Sequence, residues 1–328
     1  MNKTRVVTGA SIAAVAGLLL LTSCASNNAA SPSADPGNGD TLEIAMVLNS
    51  QTRPFYQTMV AGAEEAAEEL GVNLTWQGPA EESAANQTSM LQQVAASKPD
   101  GIIFSASDSV ALSAPLKAIF DGGTPVVTVD SDVADPAARL FTIKSDGEES
   151  GALAAERANE VTGGEGKVGY LGYTPGIESV DLRLSGWEEA LKQYPGLENV
   201  GNEYAGLDIS ENQLKATGLI SRVPDIDAIY TSWGNACIGA AQALKQAGKS
   251  GDIALICVDA DKEQVDLLAA GDVDALTIQQ AAEMGRQSLT RLVEYIRNGT
   301  ESDDVLVTHV LATQENMNDP EIEALFYR

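Results

Sequence analysis

Apolar positions along the chain fall into two alternating rhythms. Residues 42–48 form an apolar run of strand length; after Pro54, the residues Met59, Ala63, Ala66 and Leu70 recur at helical spacing, and Gly71 stops the helix. The beat continues with a strand at 72–76, a helix at 83–97, a strand at 101–104, a helix at 110–120 and a strand at 126–129, before 140–143 carries the chain out of this unit. A second set opens with a helix at 148–161 and runs through strands at 167–171, 199–204, 226–230, 253–258 and 275–278, with helices at 179–194, 210–222, 236–247 and 262–269 between them. Such alternation predicts parallel strands covered by helices on both faces, and here two similar α/β sheets. A helix at 281–298 and a strand at 305–307 follow once the second sheet is full, so they are expected to return to the first. Trp187 follows a helical stripe and is expected in the core.

The first forty residues have a different character. Lys3 and Arg5 precede an apolar run over 6–21 that small residues close at Ser23-Cys24, the layout of an export signal spanning 1–23. Leu21-Thr22-Ser23-Cys24 resembles the lipobox of bacterial lipoproteins, which makes Cys24 the expected site of lipid attachment. The alternatives are cleavage elsewhere or a membrane anchor, for which the run is short. Residues 24–40, rich in Ala, Ser, Asn and Pro, read as anchor point and flexible tether.

Composition narrows the function classes. Twenty Lys and Arg against 47 Asp and Glu give a formal charge of −27 over 328 residues, which repels phosphate backbones and anionic headgroups. No nucleic-acid partner is expected, and membrane contact only through the lipid. With His309 as the one histidine and three cysteines, neither a multi-histidine metal site nor a disulfide scaffold is expected, and no cofactor motif is present. Gly163-Gly164-Glu165-Gly166-Lys167 lacks the Ser or Thr that a phosphate loop places after its Lys, so it reads as a turn. Cys237 and Cys257 lie in apolar stretches and are expected as buried free thiols; an exported pair can bridge, but spacing alone does not bring two Cα atoms within reach.

Ligands of open parallel sheets sit at the carboxyl ends of strands, and there the chain concentrates its chemistry. Asn49, Arg53, Phe55 and Tyr56 follow the first strand, Asp130 and Ser131 follow 126–129, Trp233 lies just beyond 226–230, and Asp259 ends 253–258. Carboxylates accept from neighbouring hydroxyls, a guanidinium supplies a fork of donors, and an aromatic ring suits the C–H face of a sugar. Asp at a strand end also caps helices, and Tyr173, Glu178 and Ser179 fit ligand contact and capping equally well.

The ordered set of Pro54-Phe55-Tyr56, Pro125 to Asp130, Ser145-Asp146, Arg183-Leu184-Ser185-Gly186-Trp187, Gly239-Ala240, Ala247-Gly248-Lys249-Ser250, Asp259 and Thr277-Ile278-Gln279-Gln280 resembles the ribose-binding-protein family of periplasmic binding proteins over about 41–312. The resemblance implies two Rossmann-like doubly wound lobes joined by a three-strand hinge, with lobes expected at 41–145 plus 281–306 and at 146–280 plus 307–328. It implies that Asn49, Arg53, Phe55, Tyr56, Ser105, Asp130 and Ser131 line the first lobe, and Arg183, Trp233, Asp259 and Gln280 the second lobe and hinge. Ser131 stands where ribose binders often carry Arg, Leu207 where they carry an aromatic, and Trp233 where they often carry Asn. A stacking ring moved from the place of Leu207 to Trp233 would suit a ligand other than ribose.

The expected function is therefore a monomeric lipoprotein on the outer face of the cytoplasmic membrane, periplasmic if the cell has an outer membrane. It would capture a monosaccharide or small polyol and deliver it to the permease of an ABC importer. The alternatives are a sensor of the same fold coupled to a chemoreceptor or kinase, capture of a non-sugar solute, and a glycosidase using Asp130 and Asp259, an enzymatic reading that is not favoured.

Overall fold

The computed structural model describes residues 41–327 except 82; the export signal, Cys24 and the tether lie outside the described residues. The first half of the chain runs β1 (Glu43–Val47), α1 (Pro54–Leu70), β2 (Asn73–Gln77), α2 (Ala84–Ala96), β3 (Gly101–Phe104), α3 (Ser113–Asp121), β4 (Val126–Val129) and β5 (Thr142–Ser145). The second runs α4 (Gly147–Thr162), β6 (Gly166–Tyr173), α5 (Glu178–Leu191), β7 (Leu197–Ala205), α6 (Ile209–Arg222), β8 (Ala228–Thr231), α7 (Gly234–Gln246), β9 (Ala254–Val258), α8 (Lys262–Ala270) and β10 (Ala275–Gln279). Then come α9 (Ala281–Asn298), β11 (Val305–Val307), β12 (His309–Thr313) and the short α10 (Pro320–Glu323).

Every residue of β3 and β4 is buried, as a parallel strand covered on both faces demands. Pro54 opens α1 at a position whose N–H is spare, and Gly71, at φ 63°, closes it. The described strands form two six-stranded sheets, β11-β5-β4-β3-β1-β2 and β12-β10-β9-β8-β6-β7. The two orders are equivalent, so β4 in one lobe corresponds to β9 in the other. As expected, α9 packs on α1 and β11 joins the first sheet beside β5, and Trp187 is fully buried.

One strand departs from the expected all-parallel pattern: β12 pairs antiparallel with β10, from Gln279 opposite His309 to Ala275 opposite Thr313. β11 and β12 lie in different sheets with Thr308 alone between them. The chain passes straight from the first sheet into the second here, opposite to its sense where β10 leads into α9. A third crossing joins β5 to α4. The crossings are tied together: Asp146 N–H donates to the Val307 carbonyl at 2.9 Å, and His309 N–H donates to Glu149 Oε2 at 2.6 Å.

Each lobe is closed by a pair of helices touching backbone to backbone. A Cβ on Gly285 of α9 would lie 1.9 Å from the Met59 carbonyl oxygen of α1, and one on Gly186 of α5 would lie 2.0 Å from the Glu148 carbonyl oxygen of α4. Gly285→Ala must therefore push α9 off α1, and it is expected to lower stability by about 1–3 kcal/mol. Urea unfolding reads this directly; an unchanged midpoint would mean that the helices part freely.

The cysteines correct the expectation of free thiols. Cys237 of α7 and Cys257 of β9 are joined by a disulfide, with Cα atoms 5.6 Å apart. α7 packs on β9, so neighbouring elements bring together two side chains that are 20 residues apart in sequence.

Candidate functional site

The loop after β1 sets the first wall. Asn49 is buried, and its Oδ1 accepts from Gln87 Nε2 at 3.1 Å. The same Gln87 amide reaches the carbonyls of Leu48 at 3.1 Å and Ser105 at 2.8 Å, so one fully buried side chain of α2 fixes the ends of β1 and β3. Arg53, at the start of α1, is exposed, with its guanidinium carbon 5.6 Å from the centre of the Tyr56 ring. Phe55 and Tyr56 are buried edge to face, their centroids 5.1 Å apart.

These groups converge on Asp130. Its Oδ2 accepts hydroxyl hydrogen bonds from Tyr56 at 2.9 Å, Ser131 at 3.1 Å and Ser105 at 3.4 Å. The backbone of Asp130 is left-handed at φ 64°, and so is that of Asp259 at φ 79°, the equivalent position beyond β9. Left-handed backbone at a residue other than Gly costs energy and clusters at ligand sites. Burial pushes the Asp130 carboxyl up; hydrogen bonds from Tyr56 and Ser131 and the charges of Arg53 and Arg183 oppose this without cancelling it. Arg183 belongs to α5, so the field at Asp130 comes from both lobes.

In the second lobe Arg183 is buried, its Nη1 donating to the Ser232 carbonyl at 2.9 Å. Its Nε has no hydrogen-bond partner among the described residues, nor do Trp233 Nε1, Ser232 Oγ and Asp261 Oδ1. Buried polar groups without partners are costly, and a polar ligand between the lobes is what such a set can satisfy. Trp233 stands before α7, edge-on to Tyr173 at 5.1 Å. Leu207 is exposed, and its carbonyl accepts from Asn235 Nδ2 at 2.8 Å, so its loop lies beside the start of α7. Asp259 Oδ1 accepts from Gln279 Nε2 at 2.6 Å.

Of the eleven residues expected here, Tyr56, Ser105, Asp130 and Ser131 form one hydrogen-bonded cluster. Gln280 takes a different part: its amide donates to the Thr308 carbonyl at 2.9 Å and hydroxyl at 3.1 Å, tying one crossing to another. The neighbouring Gln279 is the one that meets Asp259. Strand side chains alternate, and Gln279 shares the face of the buried Thr277, whereas Gln280 already precedes α9. Lys144, which sequence reasoning passed over, pairs across the lobes with Glu178 at 2.7 Å. Asp130, Lys144 and Ser145 from one lobe and Glu178, Arg183 and Gln279 from the other line a common cleft. His309 is buried, which pushes its imidazole down to about 3, with the Arg183 charge acting in the same direction.

Burial and then the Asp259 charge push Asp261 up to about 6, while Arg53 pulls it down. A carboxyl with a raised folded-state value holds its proton longer folded than unfolded. Its contribution to stability is thus present at low pH and is lost as pH rises through about 6. Asp261→Asn should remove that loss, so that the variant gains on the wild type between about pH 4 and 6 and keeps a constant lead above. Unfolding midpoints of both proteins across that range check this; parallel curves would contradict it.

Residues 44–301 match the family model described as the periplasmic binding protein domain. The chain is 27% identical over 266 residues to the D-allose-binding periplasmic protein of Escherichia coli, covering 78% of this chain and 85% of that one. It is 26% identical over 271 residues to the ribose import binding protein of Bacillus subtilis, covering 82% and 87%. A solved ABC transporter solute-binding protein from Agrobacterium vitis, bound with alpha-D-tagatopyranose, superimposes with a TM-score of 0.79 at 26% identity, covering 88% of this chain and all of that one. Two equivalent α/β lobes, three crossings and a polar cleft between strand ends meet in one molecule, and the chain belongs to the periplasmic binding protein family.

Proposed function

We propose that the chain is the solute-binding component of an ABC importer, holding a monosaccharide or small polyol between its lobes, with the lobes at 41–145 plus 281–306 and 146–280 plus 307–328. The observation that carries this is the Asp130 carboxylate, supported by three hydroxyls from its own lobe and held in the field of Arg183 from the other. A sugar hydroxyl donates to the first and accepts from the second, so ligand binds best when both are near, which favours closure. The relatives are named for D-allose and ribose, and the solved neighbour holds tagatose. Ser131 and the outward Leu207 support a sugar other than ribose. Both relatives are named as binding proteins, one of them for ribose import, so a binding role is read in preference to an enzymatic one.

A thermal-shift panel of monosaccharides, polyols, amino acids and nucleosides tests this. Millimolar sugar over a micromolar Kd adds roughly 4 kcal/mol and raises the midpoint by several degrees. Stabilisation by amino acids or nucleosides only would overturn the sugar reading, and ribose as the tightest ligand would overturn the departure from ribose. Family relatives act outside the cytoplasm, and Cys24 as lipid anchor of a monomer fits that place. Cys24→Ser should move the protein from the membrane fraction to the soluble one; retention in the membrane would contradict the anchor.

A further inference from the structure

After β12 the chain continues through residues 314–327, laid along the second lobe. Gln314 Nε2 donates to the Ala269 carbonyl at 3.2 Å, and Met317, Ile322, Leu325 and Phe326 pack on the apolar core. The segment ends between the lobes. Tyr327 is 4% exposed; its N–H donates to the Ala260 carbonyl at 3.1 Å, and its hydroxyl lies 3.2 Å from the Gln279 carbonyl and 3.4 Å from Asp259 Oδ1. Its ring meets Phe55 of the first lobe edge to face, with centroids 5.4 Å apart. Phe55 in turn meets Tyr56, whose hydroxyl donates to Asp130. A continuous line of three rings thus joins the two left-handed aspartates, Asp259 at one end and Asp130 at the other.

We propose that residues 314–327 form a latch between the lobes, with Tyr327 as a positioning residue. Its backbone and hydroxyl are held by the second lobe, and its ring braces the helix of the first that carries Phe55 and Tyr56. Edge-to-face pairs favour one mutual placement, so the brace favours the closed arrangement before sugar arrives. Apparent affinity scales with the fraction of protein in the competent arrangement, so loss of the brace weakens binding without removing a ligand contact.

The inference rests on the proposed sugar site, and two readouts separate their failures. Tyr327→Leu keeps apolar volume while removing the edge-on ring and hydroxyl, and Tyr327→Phe keeps the ring. With D-allose, D-ribose and D-tagatose as titrants, Tyr327→Leu should raise the Kd of whichever sugar binds the wild type at least tenfold, and Tyr327→Phe should stay within threefold. Small-angle scattering without sugar should give Tyr327→Leu a larger radius of gyration than the wild type. Wild type binding none of the three would exclude these sugars as its ligand without touching the latch, because the scattering comparison still decides that. Identical scattering of the two proteins, wild-type affinity in Tyr327→Leu, or equal weakening in Tyr327→Phe would overturn the latch.

Discussion

Arg183→Met is expected to weaken sugar binding roughly a hundredfold, about 2–3 kcal/mol, the scale set by removing one partner from a buried charged contact. Methionine keeps most of the apolar stem and fits among the buried neighbours of α5, so the fold should survive. Three consequences follow from the loss of the guanidinium. The unpartnered Nε, a donor that a sugar hydroxyl can use, disappears. The hydrogen bond to the Ser232 carbonyl is lost, which frees the loop that leads to Trp233. Asp130 also loses a charge that opposes the effect of burial, so its carboxyl moves further upward. Binding by the variant should then fall off more steeply with decreasing pH than binding by the wild type, because a protonated Asp130 no longer accepts from a ligand hydroxyl as a carboxylate does. Arg222→Met is the control: Arg222 is half-exposed and paired with Glu203 at 2.6 Å on the outside of the second lobe. It should bind sugar as the wild type does. Calorimetric titration of both variants measures the difference; wild-type affinity in Arg183→Met would remove Arg183 from the site.

The second large effect concerns stability. Replacing both Cys237 and Cys257 by alanine opens a loop whose ends are 20 residues apart. Loop-closure entropy then predicts a loss of about 3 kcal/mol. Alanine avoids burying new hydroxyls, since both cysteines are fully buried. For a domain of this size the loss should appear as a melting temperature lower by roughly 6 °C. The bridge joins α7, which Trp233 precedes, to β9, which ends before Asp259. It therefore ties two walls of the second lobe together, but it touches neither carboxylate. Sugar affinity should fall far less in this variant than in Arg183→Met. A melting temperature unchanged from the oxidised wild type would show that the bridge constrains nothing.

The contrast between the two cysteines and the strands around them marks what sequence carries. A strand covered on both faces is mostly apolar and bounded by turn residues, so 101–104 and 126–129 are legible to the residue; the helix at 281–298 is as well. Asp130 and Asp259 were singled out because parallel sheets present ligands at strand ends, and both carry left-handed backbone there. A disulfide depends on where two elements lie in space, which no spacing along the chain encodes. Gln279 and Gln280 differ by one residue at a strand end, where the alternation of side chains gives way to the start of a helix, and pattern alone does not say which of the two meets Asp259. β12 was missed because its five residues at a sheet edge show no regular alternation: His309, Ala312 and Thr313 are buried, and the two between are half-buried. Tyr327 left no signal at all: one of two adjacent aromatics beyond a four-residue helix, it gains its meaning from Phe55, which is hundreds of residues away in sequence and one ring away in space.

On the proposed reading, one sugar is held between the two lobes by groups from both. A crystal structure of the protein with the sugar that stabilises it most tests this directly. The predicted result is a single sugar ring in the cleft, with hydroxyls within hydrogen-bonding distance of Asp130 on one side and Arg183 on the other. A sugar seated on one lobe alone, or outside the cleft, would contradict it.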